Sequence, residues 1–310
     1  MTPVEWRGEE IRARHHGECV TISRRHFLLG GAATAAALAA EGLLIEPQRV
    51  TVTRHPLGTP GAGVVLRMAQ LSDLHLRAIG RHQHRIASAV RRLRPDLLLF
   101  TGDAIDRAQR LDVLARFLDL LGASVPGFAI LGNWEHWARV DLDALRRAYA
   151  ARRIRLLVNE TAHHAHRGRR VLVTGLDDAT GGMPNLETAL RGAQPAANHL
   201  LLAHSPGYRD RLPAGSRPTQ AAGLPAFGGA DLSRYRFACM LAGHTHGGQI
   251  ALFGWAPVRP RGSGRYVSGW YRDGGVPLYV SRGLGTSVLP VRLGAPPEIA
   301  VFEWYLAERG

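Results

Sequence analysis

Residues Met68–Asp106 read MAQLSDLHLRAIGRHQHRIASAVRRLRPDLLLFTGDAID. The apolar run Val64–Leu71 ends in Asp73-Leu74-His75. A stretch of helical periodicity follows, and a second apolar run, Leu97–Phe100, ends in Gly102-Asp103 with Asp106 just beyond. This is the spacing of a strand–helix–strand unit whose parallel strands release their polar residues at one sheet edge. Ligands of open α/β sheets gather at the carboxyl ends of the strands. Asp, His and Asp arriving there form a donor set suited to a divalent metal.

Three later segments repeat the form. Phe128–Leu131 runs into Gly132-Asn133-Trp134-Glu135-His136, His199–Ala203 into His204-Ser205-Pro206, and Phe237–Ala242 into Gly243-His244-Thr245-His246-Gly247-Gly248. Five apolar strands, each ending in Asp, Asn or His, make a ligand set that no single motif would. From Arg67 onward the chain resembles the calcineurin-like metallophosphoesterases, whose pattern is D-x-H, G-D-x-x-D, G-N-H-[DE], H and G-H-x-H in this order. Tyr279-Val280-Ser281-Arg282-Gly283-Leu284-Gly285 and Pro296-Pro297-Glu298-Ile299 look like the subgroup of bacterial membrane-associated phosphodiesterases of the YkuE/YaeI kind.

The resemblance implies a four-layer α/β/β/α sandwich with two divalent metal ions, for which Mn, Fe and Zn are all compatible. Asp73, His75 and His246 would hold the first ion, and Asn133, His204 and His244 the second. Asp103 would bridge them, its charge offsetting the repulsion between the cations. Such pairs, about 3.5–4 Å apart, clamp a phosphoryl group and lower the pKa of a shared water, giving hydrolysis by an activated hydroxide. Asp106 would orient a ligand His, and Gly247-Gly248 would let the backbone pass close to the metals.

One position departs from the pattern. Where the family usually has a His after the Asn, helping the leaving oxygen depart, this chain has Trp134, which cannot titrate. Glu135 keeps the acidic position and His136 lies one further on. Three outcomes are compatible: His136 substitutes as the acid, the substrate has a leaving group needing little protonation, or the protein binds metal with weak turnover.

The chain has 310 residues, enough for one large domain and an N-terminal extension. Its formal charge is +14, and every basic residue apart from histidine is Arg. Such a surface favours anionic partners: phosphorylated small molecules, lipid-linked phosphates or an acidic membrane surface. No nucleic-acid-binding module and no basic stripe interleaved with aromatics is present, which argues against nucleic acid. Of the two cysteines, Cys19 and Cys239, the second sits in an apolar strand and reads as a buried thiol.

Ser23-Arg24-Arg25-His26-Phe27-Leu28-Leu29 and the Gly/Ala/Leu run after it resemble a twin-arginine export signal. Residues 1–46 are therefore expected to be an export signal or membrane segment and 47–310 the catalytic domain. The protein would lie in the periplasm or on the outer face of the cell membrane, with the segment removed or kept as an anchor. Apolar periodicity predicts helices over Gln83–Leu93, Leu111–Leu121 and Leu142–Ala150, the last capped by Asp141. Arg155–Asn159 and Arg170–Gly175 read as neighbouring strands, with His163, His164 and His166 in the turn between them. Pro206–Arg236, and Ile250–Tyr271 with Phe253, Trp255 and Trp270 among arginines, read as rims of the site.

Metal-dependent hydrolysis of a phosphoester or phosphoanhydride, with phosphodiesterase action foremost, is the expected function. Cleavage of UDP-2,3-diacylglucosamine, a non-catalytic metal-binding envelope protein and a nuclease are the competing readings.

Overall fold

In the computed structural model every residue is described except 1–9, 16–17, 62, 123–124, 213–233, 252–254 and 309–310. Its layers follow from how single strands divide their side chains. Along Leu97–Thr101, wholly buried, Leu97 and Leu99 enter one core and Leu98 and Phe100 another. A strand covered on both faces is apolar throughout instead of alternating, which is why the sequence shows an unbroken run there.

The described residues begin with the antiparallel pair β1 (Glu10–His15) and β2 (Glu18–Ser23), then helix α1 (Arg24–Ala40). Next come β3 (Thr51–Leu57), β4 (Val65–Leu71), α2 (Arg81–Leu93), β5 (Leu97–Thr101) and α3 (Leu111–Leu121). After β6 (Gly127–Ile130), α4 (Asn133–Trp137), α5 (Leu142–Ala150) and β7 (Ile154–Leu156), the path crosses to a second sheet. That sheet uses β8 (Glu160–His166), β9 (Arg169–Gly175), α6 (Leu186–Leu190), β10 (His199–Leu202), β11 (Cys239–Ala242), β12 (Gly269–Tyr271) and β13 (Leu278–Val280). The last strand, β14 (Glu298–Tyr305), returns to the first sheet.

The strand orders are β3-β14-β4-β5-β6-β7 and β12-β13-β11-β10-β9-β8. Strands β4 to β7 are mutually parallel, as are β9, β10, β11 and β13, while β14 runs antiparallel to β4 and parallel to β3. The two sheets share a core that includes Leu66, Met68, Val171, Leu200, Leu241 and Phe302. Helices α2, α3 and α5 cover the outer face of the first sheet through residues such as Ile86, Phe117 and Tyr149. On the outer face of the second, α6 is joined mainly by turns and loops carrying Tyr208, Tyr235 and Tyr266. The result is the four-layer α/β/β/α sandwich, with one thin outer layer.

The predicted helices form, α2 starting two residues earlier, and Asp141 Oδ1 accepts from Ala144 N at 2.7 Å as the cap of α5. The hairpin differs from expectation. Ile154–Leu156 closes the first sheet, and β8, which carries His163, His164 and His166, is the strand that pairs with β9. The turn is Arg167-Gly168, both at positive φ (45° and 77°), which suits a two-residue hairpin connection. Cys239 is fully buried, and burial holds its thiol well above the usual range.

Candidate metal centre

Each of β4, β5, β6, β10 and β11 passes from its last apolar residues to donors. Asp73 and His75 follow β4, Asp103 follows β5, Asn133 follows β6, His204 follows β10, and His244 and His246 follow β11. All seven are at most 4% exposed. Asp73, His75, Asp103 and His246 bring one ligand atom each within 4.8 Å of one another, as do Asp103, His204 and His244; Asp103 belongs to both groups.

The hydrogen bonds behind these side chains fix where their lone pairs point. His204 Nδ1 donates to Thr101 O at 2.7 Å and His244 Nε2 donates to Arg261 O at 2.7 Å. Both imidazoles therefore turn their other nitrogen inward as an acceptor. His204 Nε2 and His244 Nδ1 lie 3.3 Å apart, and Asn133 Oδ1 sits 3.3 Å and 2.9 Å from them. Asp103 Oδ2 is 3.2 Å from His204 Nε2 and 3.7 Å from His75 Nε2. Across the cluster, His75 Nε2 faces His246 Nε2 at 3.1 Å, and Asp73 Oδ1 lies 3.4 Å from His246 Nε2. Buried acceptors that converge without donors repel one another, and a divalent cation relieves this. The residues present fit such an ion.

The electrostatics call for the same positive charge. Burial and the neighbouring Asp103 carboxylate push Asp73 up to about 6, against the pull of His204. Burial alone would raise Asp103 too, but His204 and His75 hold it well below the usual carboxylate range. Burial presses His75 down to about 4 and His246 well below its ordinary value. For His204 the penalty of burial is outweighed by Asp103 and Asp73, which favour a positive charge at that spot.

The backbone is strained where the donors sit. Asp73, His75, Asp103, His244 and His246 all have positive φ, between 41° and 73°. Non-glycine residues seldom adopt this region, at a cost of about 1–3 kcal/mol each, and such strain clusters at functional sites. Motif glycines make the crowding possible. A Cβ on Gly243 would lie 1.9 Å from Ser72 Oγ and 2.3 Å from Asp73 Oδ2, and one on Gly132 would lie 2.2 Å from Asp103 Oδ1.

Glu135 ties two donor loops together. Its carboxylate accepts from the amides of Asp103 (3.1 Å), Ala104 (2.6 Å), Ile105 (3.2 Å) and Gly132 (2.8 Å). Burial and Asp103 raise it to about 7 against the pull of those amides. Asp178 accepts from Ser205 Oγ at 2.6 Å and from the amides of Thr180 and Gly181, capping its loop and bracing the residue beside His204. Leu284 N and Gly285 N donate to Ser72 O and Asp73 O, so the loop after β13 clasps the first donor turn. Arg292, fully buried, donates to Gly285 O and Ala295 O and stands 3.4 Å from His246 Nδ1. Sequence reasoning missed Arg292 and the carbonyls of Thr101 and Arg261, for which no side-chain motif exists.

One expectation changes. Asp106 bonds to no ligand histidine; its carboxylate lies between Arg77 Nε (3.6 Å) and Arg110 NH1 (3.4 Å), drawn outward by two guanidinium groups. Gly247, next to the donor His246, and Gly248 face Arg282 and Ala256, where a Cβ would come to 2.9 Å and 2.3 Å, so both let the backbone pass close to neighbouring loops. His136 is outside both donor groups; its Nε2 lies 2.6 Å from Asp177 Oδ1. Trp134 donates its amide to Asp103 Oδ1, and its ring meets His75 and Trp137 edge-on at 5.8 Å and 5.5 Å. Of the two expected rims, residues 213–233 and Phe253 lie outside the described residues.

The calcineurin-like phosphoesterase family model matches residues 66–248, from the start of β4 to just past His246. The metallophosphoesterase YkuE of Bacillus subtilis is 29% identical over 307 residues, 91% of this chain and 97% of its own. Phosphodiesterase YaeI of Escherichia coli is 28% identical, covering 91% of this chain and 99% of its own. A transmembrane protein with a metallophosphoesterase domain from Bos taurus is 28% identical over 84% of this chain and 59% of its own. With divalent-metal donors buried at the strand ends and this match over more than half its length, the chain belongs to the calcineurin-like phosphoesterase family and is a metal-dependent phosphoester hydrolase.

Proposed function

We propose that the protein is a two-metal phosphodiesterase. The observation that carries this is the acceptor cluster around Asp103: two histidines pinned from behind by backbone carbonyls, and one carboxylate common to both donor groups. Asp73, His75 and His246 would hold one ion, Asn133, His204 and His244 the other, and Asp103 both. When bound, such ions supply charge for the phosphoryl oxygens and a nucleophile at neutral pH. The chain's own part is to hold the donors rigid, and the four amides on Glu135 support that role. The diester preference rests on the likeness to YaeI.

His136 supplies the leaving-group proton in place of the residue at Trp134. Asp177 bonds to its imidazole and raises it above the ordinary histidine value, against the effect of burial, which favours the protonated form that a general acid needs. Two arms test this on the full-length protein. Metal content and hydrolysis of bis(p-nitrophenyl) phosphate and p-nitrophenyl phosphate are measured with Mn²⁺, Fe²⁺ and Zn²⁺; bound metal with no diester turnover sinks the hydrolytic reading. His136→Gln should lose more activity on an alkyl leaving group than on p-nitrophenolate; equal losses remove His136 as the acid.

Residues 1–46 are proposed as a twin-arginine export signal or anchor, and 47–310 as the catalytic domain. Ser23 Oγ caps α1, accepting from His26 N, and the helical stretch Arg24–Gln48 is long and apolar enough to cross a membrane. Arg24→Lys with Arg25→Lys should leave the protein in the cytoplasm; unchanged export would rule out the route.

A further inference from the structure

We propose that the mouth of the metal site is a membrane-facing surface, and that the phosphodiester it takes is lipid-linked and lies at head-group level. This rests on the phosphodiesterase reading and names its substrate class. The first support is where the apolar helix leaves the domain. Helical residues Arg24–Gln48 are long and apolar enough to cross a membrane, and Arg24–Ala40 has no buried residue. Up to Glu41, before the stretch meets the body, it extends roughly 27 Å at 1.5 Å per residue, close to a hydrocarbon core of about 30 Å.

The end of this stretch is built into the body. Arg292 N donates to Gly42 O at 2.9 Å, and Gly294 N and Ala295 N donate to the buried Glu46 carboxylate at 2.9 and 2.6 Å. The same loop reaches the metal donors from its other side, through Arg292 beside His246 and Gly285 on Asp73 O. Sheet topology agrees. β3 is parallel to β14 and β14 antiparallel to β4, so β3 begins at the edge where β4 ends in Asp73. The apolar helix and the metal donors therefore share one edge of the sandwich.

That edge carries the second support. Val288 is 79% exposed and Leu289 58% on the loop that seats the helix. Trp255 (68%) and Val258 (72%) stand on the loop whose Arg261 carbonyl holds His244. Exposed apolar side chains grouped on loops around one mouth mark an interaction surface. On or beside the same loops Arg77, Arg259, Arg261 and Arg265 are exposed, Arg77 reaching Ser287 O and pairing with Asp106, Arg265 pairing with Asp273, and the chain carries +14 overall. Exposed arginines on the loops that carry exposed apolar side chains match an anionic head-group layer over an acyl boundary, a pattern that favours a bilayer over a protein partner.

The test uses full-length protein in vesicles of phosphatidylcholine with and without phosphatidylglycerol. Val288→Cys, Val258→Cys and Gln194→Cys, each with Cys19→Ser, carry a polarity-sensitive fluorophore; Gln194 is exposed just before β10, at the opposite edge. Lipids spin-labelled near the head group should quench the labels at 258 and 288 several-fold and leave that at 194 unchanged. In parallel, Val288→Ser with Leu289→Ser should lower kcat/KM for p-nitrophenyl hexadecyl phosphate in the vesicles by about tenfold, from the lost apolar burial. Hydrolysis of soluble bis(p-nitrophenyl) phosphate should stay within about twofold, as for surface changes away from a site. Labels at 258 and 288 as unquenched as that at 194 overturn the surface, even with hydrolysis intact. Quenched labels with equal losses on the two diesters overturn the lipid-linked substrate. Quenched labels with no hydrolysis of either diester by the parent chain defeat the phosphodiesterase reading and leave the surface standing. Quenching that needs phosphatidylglycerol supports anionic head groups as the partner, and equal quenching without it overturns the charge match.

Discussion

The donors at the centre of the site and the loops around its mouth leave the same strand ends, yet they are built by opposite rules. In the centre, seven side chains are buried, five of them at strained φ, and backs are held by carbonyls and by Glu135. At the mouth, Trp137, Trp255, Val258, Val288 and Leu289 point outward and are exposed. The centre holds geometry at a cost in strain, whereas the mouth leaves apolar area unburied. Substitutions should therefore separate cleanly: central changes remove turnover whatever the substrate, and rim changes act only where a substrate or surface touches the rim.

The largest separation is expected at Asp103. Asp103→Asn keeps the shape but removes the charge common to both donor groups, and kcat should fall on the order of 10³-fold, as when a charge-stabilising group is lost. Vesicle binding should be unchanged; an active variant would break the contrast. Next comes Glu135→Gln. Its amide nitrogen cannot accept, so part of the four-amide clamp is lost, costing about 2–4 kcal/mol by denaturant unfolding. Turnover should fall about 10- to 100-fold, the range for groups that orient metal ligands.

A smaller effect is expected where centre and rim meet. His136 is raised by Asp177, so its contribution is fully present below the unfolded histidine value and lost as pH rises through the folded one. Asp177 is lowered despite burial, chiefly by its bond to His136, so its contribution is present above the unfolded carboxylate value and lost as pH falls. Asp177→Asn should therefore cost most between about pH 4 and 6.5, by about 1 kcal/mol at this partly solvated pair, and least at either extreme. A Tm deficit independent of pH would contradict the ion pair. Smallest of all, Val258→Ser should change stability by less than about 0.5 kcal/mol and soluble-diester turnover by less than about twofold. A large loss would mean that the rim shapes the centre.

The same contrast decides what could be read in advance. Buried parallel strands need unbroken apolar runs, so the ends of β4, β5, β10 and β11 stood out, and the Asp and His residues after them were legible from type and order. What holds those residues was not. Thr101 and Arg261 act through carbonyls, which every residue owns, and Arg292 gains its place only when its own loop folds against Gly42 and His246. Asp106 departs from the role its spacing implies because the pull of Arg77 and Arg110 depends on side-chain reach that spacing alone does not carry. The β8 strand is not legible in the sequence because its polar, His-rich pattern matches a turn as readily as an edge strand, and its pairing with β9 decides the matter. The rim had no motif at all, since exposure is a property of the folded loops.

The most direct measurement is anomalous diffraction at the metal edge from crystals of the full-length protein grown with Mn²⁺. Two peaks are expected on either side of Asp103, one among Asp73, His75 and His246 and the other among Asn133, His204 and His244. A single peak, or peaks away from Asp103, would contradict the two-metal centre.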